Sequence, residues 1–190
     1  GLLKVGRANE ALPLVVRAMT LRQEVLGPGH PETLQSVAEA AAVRSALGDF
    51  SGALELDQQA LDGRRATLGD KHADTLASQN SVAEDLNSLG RYAEALPIHE
   101  RTFALRREAL GEKHAETLAS LNNLTATYEY LGRNADALAL HQKTVALYTE
   151  AFGERHPSTL TSMSNYALAY GGTDLERGPI LPIDETLAGY

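Results

Sequence analysis

Cysteine is absent from the 190 residues, which excludes disulfides, thiol catalysis and cysteine-ligated zinc. Tryptophan is absent too, phenylalanine occurs three times, and aromatics make up only 5% of the chain. A core must then be assembled from Leu, Ala and Val, a composition suited to closely packed helices. Basic residues are in deficit, 17 against 25 acidic, for a formal charge of −8. A nucleic-acid binder needs a basic face to neutralise phosphates, and an anionic membrane surface asks for the same, so both partners are disfavoured. Long apolar runs are missing: "ALPLVV" from Ala11 is among the longest, far short of the roughly 18 residues of a membrane span. The N-terminal "GLLKVGRANE" carries neither a signal peptide's apolar stretch nor an initiator Met. The expectation is a cytoplasmic or organelle-interior protein rather than a secreted one. The first residues read as the tail of an interrupted repeat, so the chain is expected to be a piece of something longer.

What is present is a repeat. Hydrophobic residues at 43% and charged residues at 22% suit a folded chain. "LGPGHPETLQS" at Leu26, "LGDKHADTLAS" at Leu68, "LGEKHAETLAS" at Leu110 and "FGERHPSTLTS" at Phe152 start 42 residues apart each time. Between Leu68–Ala109 and Leu110–Ala151, 22 of 42 positions are identical without a gap, which chance does not give. The organisation expected is a partial repeat over 1–25, repeats 26–67, 68–109 and 110–151, the start of a last repeat over 152–170, and a degenerate capping segment or tail over 171–190.

Each unit reads as two helices. After each histidine stands Pro31, Ala73, Ala115 or Pro157, and Pro is tolerated at a first helical position, where the N–H it lacks would be unpaired anyway. An acid follows in three copies, Glu32, Asp74 and Glu116, where it meets the positive end of the helix dipole. A helix of about four turns then runs to Gly48, Gly90 or Gly132, with Gly6 as the equivalent in the truncated first unit. The second helix, such as "RYAEALPIHERTFALRREAL", ends at the Gly of the next "LG" and repeats small and apolar residues at helical spacing. Pro13 and Pro97, about a turn inside, cost a backbone bond without ending the helix. Helix, turn, helix and link, repeated, make an α-solenoid.

The spacing Leu124, Thr125, Tyr128, Gly132, Ala137, Thr144 resembles the tetratricopeptide repeat signature, with Gly48, Gly90, Ala53 and Ala95 in the same register. At 42 residues with "LGxxHxxTL" in the link, the repeat is similar to the kinesin-light-chain type. HEAT and armadillo arrays have similar periods but lack the Gly-x-x-x-x-Ala spacing. The resemblance covers about residues 1–170 and implies an all-α fold, a right-handed superhelix of helix-turn-helix units.

His30, His72, His114 and His156 pose a choice between a metal device and a joint. Equivalent residues of stacked helical units lie on the order of 10 Å apart, whereas zinc holds imidazole nitrogens at roughly 2 Å. The four therefore cannot share an ion, and each is expected at or beside a helix N-cap with a ring nitrogen on nearby backbone. His99 and His141, on second helices, read as packing residues. No metal and no cofactor is expected. Phosphate loops, "GxSxG" and "HExxH" are all absent, and no pair of acids stands out, so the chain is expected to be no enzyme.

The resemblance implies a protein-interaction scaffold or adaptor whose first helices line a concave groove. In register, the groove positions are Asn80, Glu84, Asn87 and Ser88, then Asn122, Ala126, Glu129 and Tyr130, preceded by Gln35, Ala38, Ala42 and Ser45 and followed by Thr161, Ser164 and Leu168. Asn80 and Asn122 could grip a peptide backbone, because an amide both donates and accepts; a solvated or locally bonded Asn is the alternative. Tyr130 could anchor an apolar group. Versions of the family that bind acidic cargo or C-terminal carboxylates rely on Lys or Arg in the groove. Here those positions are neutral or acidic, so a neutral or basic protein segment is the expected ligand. A structural subunit of a large assembly and the sensor arm of a nucleotide-binding signalling protein are the rival readings. The last unit departs from the pattern at "YGGTDLERGPILPID", where Gly171, Gly172, Gly178, Pro179 and Pro182 disfavour a regular helix. "LPIDETLA" resembles "LPIHERTFA" from Leu96, which suggests a decayed final helix; alternatively Ile180, Leu181, Ile183 and Tyr190 dock on another subunit.

Overall fold

The computed structural model describes residues 7–171, and every regular element among them is an α-helix. They are α1 (Ala8–Leu26), α2 (Pro31–Ala46), α3 (Phe50–Leu68), α4 (Ala73–Ser88), α5 (Tyr92–Leu110), α6 (Ala115–Tyr130), α7 (Asn134–Phe152) and α8 (Pro157–Gly171). The expectations for Gly6 and for residues 172–190 lie outside the described residues. Gly171 is the last residue of α8.

The chain forms two compact units, Gly1–Leu105 and Arg106–Tyr190. In the first, α1 packs on α2, α2 on α3 and α3 on α4; in the second, α6 packs on α7 and α7 on α8. Helices of 16 residues (α2, α4, α6) alternate with helices of 19 residues (α3, α5, α7). Pro13 and Pro97 lie inside α1 and α5, which run on past them.

The recurring histidines are helix caps. Nδ1 of His30, His72, His114 and His156 accepts the backbone N–H two residues on, at 3.2–3.3 Å in all four cases. Each thereby satisfies one of the donors that a helix start leaves unpaired. Capping requires an unprotonated Nδ1. His72→Ala is expected to cost unit 1 about 1 kcal/mol, and His72→Asp to recover most of it, since Asp is a good cap. Urea unfolding of the two variants checks this, and equal stabilities would remove the capping role.

The other ends are closed by glycine. Gly90, at φ +75°, lies in the left-handed region that favours Gly. This lets Arg91 N donate back to Leu86 O at 2.8 Å and Gly90 N to Asn87 O at 3.0 Å, the paired bonds of a Schellman ending. The threonines of the first and last "TL" tie a first helix to the second helix before it, whereas the buried hydroxyls of Thr75 and Thr117 have no hydrogen-bond partner among the described residues. Thr33 Oγ1 donates to Arg22 O and Thr159 Oγ1 to Tyr148 O, both at 3.2 Å.

The core is aliphatic, as the scarcity of aromatics requires. Ala53, Ala95 and Ala137, the invariant small residue of the second helices, are buried, as are Leu34, Leu76 and Leu118 of the first helices. Where α5 and α7 carry Leu105 and Leu147, α3 has Gly63, and the Leu34 side chain fills the space a Cβ would need.

A guanidinium clamp recurs where α1, α3 and α5 each meet the following first helix; α7 has Tyr148 at the equivalent position. Arg64 Nη1 donates to Ser78 Oγ at 2.8 Å and to Asp74 O at 3.3 Å. Arg106 Nη1 repeats this with Ser120 Oγ at 2.7 Å and Glu116 O at 3.2 Å, and Arg22 donates to Ser36 Oγ. Arg64 and Arg106 are each only 7% exposed, so fixed partners replace the water they lose.

Candidate partner-binding faces

In unit 1, α2 and α4 present polar stripes to solvent. On α2 these are Gln35, Glu39 and Ala42, with Ala38 and Ser45 half-buried beside them; on α4 they are Asp74, Ala77, Glu84 and Ser88, with Asn80 half-buried among them. The spacing of three and four is that of one helix face. Between the stripes lies a cleft of about 360 Å³ walled by Arg22, Glu32, Gln35, Glu39, Arg64 and Asp74. Its two guanidinium groups are committed: Arg64 Nη2 donates to Gln35 Oε1 at 2.8 Å in addition to its clamp bonds, and Arg22 holds Ser36 and faces Glu32 at 3.8 Å. Glu32, Glu39 and Asp74 are exposed, so the balance of charge offered to a ligand is negative.

The groove residues expected from sequence divide into two sets. Asn80 and Glu84 lie on the exposed side of α4, with Asn80 Nδ2 donating to Glu84 Oε1 at 2.6 Å. Asn87 is turned toward α5, its amide nitrogen 3.4 Å from His99 Nε2. In unit 2, Asn122 is exposed on α6 and donates to Tyr148 Oη at 3.3 Å. Both asparagines are therefore locally bonded. Glu129 meets His141 Nε2 of α7 at 2.9 Å, a contact that holds the α6–α7 pair. Tyr130 is 57% exposed at the end of α6, and Ser164 is exposed on α8 with its hydroxyl on Leu160 O at 3.0 Å. Thr161 and Leu168 are also exposed on α8, and Ala126 is half-buried on α6.

Two sets of residues escaped the sequence reading. One is the guanidinium clamp, whose signal was present: Arg22 and Ser36, Arg64 and Ser78, and Arg106 and Ser120 share one 14-residue separation. The other is a line of buried polar residues inside unit 1. His99, read as a packing residue, is fully buried, with Nδ1 lacking a hydrogen-bond partner among the described residues. Burial pushes its pKa down to about 4, because the low-polarity surroundings disfavour the imidazolium. Asp57 occupies the equivalent place in α3 and is also buried, together with Asp85 of α4. Among the described residues, no group of three or more His, Asp or Glu could hold a metal, and no helix is long and apolar enough to cross a membrane.

Helical hairpins with capped starts, glycine ends and solvent-facing first helices define an α-helical repeat protein. The tetratricopeptide repeat family profile matches residues 2–66, 74–150 and 126–176, and the chain belongs to that family. Its fold class is the tetratricopeptide α-solenoid. Two solved structures of a putative kinesin light chain with nearly identical TPR-like repeats from Podosopora anserina, one of them a point variant, are similar at 30% identity. The variant aligns with a TM-score of 0.80 over 87% of this chain and 78% of that one; the other gives 0.79 over 87% and 79%. BtubC (BKLC) from P. vanneervenii shares the fold at 19% identity and a TM-score of 0.67, over 86% of this chain and 64% of that one. A search of curated proteins found no match. Tetratricopeptide repeats generally mediate protein–protein interaction, and this fold is typically a non-catalytic scaffold.

Proposed function

We propose that the chain is a non-enzymatic adaptor that holds a neutral or basic segment of a partner protein against its first-helix faces. The observation that carries this reading is the unit 1 cleft. Its guanidinium groups are engaged within the protein, while Glu32, Glu39 and Asp74 remain exposed around it. An incoming carboxylate would find no available cation there and would meet like charge. A neutral backbone can exchange hydrogen bonds with Gln35 and Asn80, and a Lys or Arg can approach Glu39 or Glu84. In unit 2, Asn122, Tyr130 and Ser164 offer polar contacts and an aromatic anchor. Tyr is among the residue types that dominate interface energy.

Panning a random peptide library on the immobilised chain tests this. Neutral or basic sequences are expected, with affinity falling as salt rises. The pair Glu39→Lys and Glu84→Lys should weaken binding at least about tenfold, each close charge contact being worth on the order of 1 kcal/mol or more. Circular dichroism should remain unchanged, since both side chains are exposed. Enrichment of acidic peptides, or binding indifferent to the charge reversal, would overturn the reading.

A further inference from the structure

Inside a repeat, the first helix buries an apolar line against the second helix that follows it. In the pair α2 and α3, Leu34 is buried and its side chain fills the space beside Gly63. In the pair α6 and α7 the same two registers hold Leu118 and Leu147, both buried. Two helices carry the corresponding line uncovered. On α8, Leu160 stands at the register of Leu34 and Leu118, yet it is 52% exposed. Ala167, at the register of the buried Ala41 and Ala83, is exposed too, and Met163 between them is half-buried. The spacing of three and four puts these residues on one helix face. A solvent-facing helix ordinarily bears charge on its outer side, but α8 is the only described helix without a charged residue.

The second uncovered line belongs to α1, a second helix by register. Leu14 is 60%, Leu21 40% and Val25 78% exposed, with Ala18 half-buried among them. They share one face, at spacings of four, three and four. Leu21 stands at the register of Gly63 and Leu147, and Ala18 at that of the buried Ala60, Thr102 and Thr144. This is therefore the face that α3 turns to α2, whereas α1 meets α2 through a different one, from which Arg22 donates to Ser36.

We propose that the two faces are halves of one interface: α8 of one copy of the chain docks as a first helix on α1 of a second copy, completing a tetratricopeptide unit between molecules. The sizes match, since Leu160 against Leu21 reproduces the leucines of α6 and α7. Met163 beside Ala18 replaces Gln79 and Thr102, which are bonded at 3.2 Å in the pair α4 and α5. The charges match as well. Glu10, Arg17 and Glu24 flank the α1 line at every seventh residue, and an uncharged α8 brings no like charge to them and leaves no ion of its own buried. Contiguous exposed apolar residues mark interaction sites. The contact joins unlike faces, so each added copy leaves one of each free and addition can continue.

Sedimentation equilibrium of the full chain from about 1 μM to about 1 mM reads the association. The average mass is expected to rise with concentration past that of a dimer. Leu21→Glu and Leu160→Glu each spoil one face, and helicity by circular dichroism should hold because both side chains lie partly in solvent. Either variant alone is expected to stay monomeric. Their equimolar mixture should reach the dimer and stop, because the intact α8 of the Leu21→Glu protein fits the intact α1 of the Leu160→Glu protein. A wild type that is monomeric throughout would overturn the proposal, whichever segment or other protein then covers these faces. So would a single variant that still dimerises, since like faces would then be pairing.

Discussion

Replacing Arg64 with alanine is expected to destabilise unit 1 by about 3 kcal/mol, the scale for losing hydrogen bonds from a charged donor together with the packing of its stem. The side chain is only 7% exposed. It joins three helices: it leaves α3, reaches Ser78 Oγ at 2.8 Å and Asp74 O at 3.3 Å on α4, and meets Gln35 Oε1 of α2 at 2.8 Å. Arg64→Lys should recover less than half of the loss, because an ammonium is a point charge and cannot span three acceptors in the directions of a planar fork. Removing the positive charge also leaves Asp57 without its one attractive neighbour, which should raise that carboxyl further. Urea unfolding monitored by helicity reads the effect. A loss below about 1 kcal/mol would show that the clamp is dispensable.

His99→Leu is expected to change the acid side of the stability curve by a similar amount. The imidazole is fully buried and its pKa is pushed from 6.5 to about 4 by that burial. A histidine lowered in the folded state stabilises fully above its unfolded value, and the contribution is lost as pH falls toward the folded one. Wild type should lose about 3 kcal/mol relative to His99→Leu between pH 6.5 and pH 4, while the two proteins run parallel above pH 7. Asp57, which burial raises from 3.8 to about 7, contributes with the opposite sign over much of the same interval, so wild type by itself should show a deceptively flat profile. The difference between wild type and His99→Leu isolates the histidine slope. Parallel curves for wild type and His99→Leu down to pH 4 would mean that the imidazole is hydrated in the folded state.

Both effects arise in polar residues of unit 1 that reading the chain left as ordinary packing or did not single out. His99 was legible as a buried packing residue because it stands at helical spacing among Ala95, Thr102 and Phe103, all buried. Its missing partner was not legible, because whether Nδ1 meets an acceptor depends on how α5 is rotated about its own axis. The candidate faces show the same division. Asn80 and Glu84 were placed on the exposed side of α4 by register alone, and their bond is an i,i+4 contact within one helix. Asn87 and Glu129 came from the same register, yet they turn toward His99 and His141 of the paired helices. They stand at one equivalent position near the end of a first helix, where the next helix folds back within reach of the side chain.

The repeat, its period, the two helices in each unit, the capping histidines and the closing glycines were all legible in the order of residues. Each of these is a local signal, written within a few residues and copied along the chain, so the physics of a single helix end suffices to read it. Which polar groups meet is settled instead by how the helices pack. Ser45 and Asp85 are 40 residues apart, and Arg64 reaches across 29 residues to Gln35. Contacts of that range depend on helix rotation and on which small residue, such as Gly63, lets two helices approach. A side chain near the boundary between core and solvent can then end on either side of it.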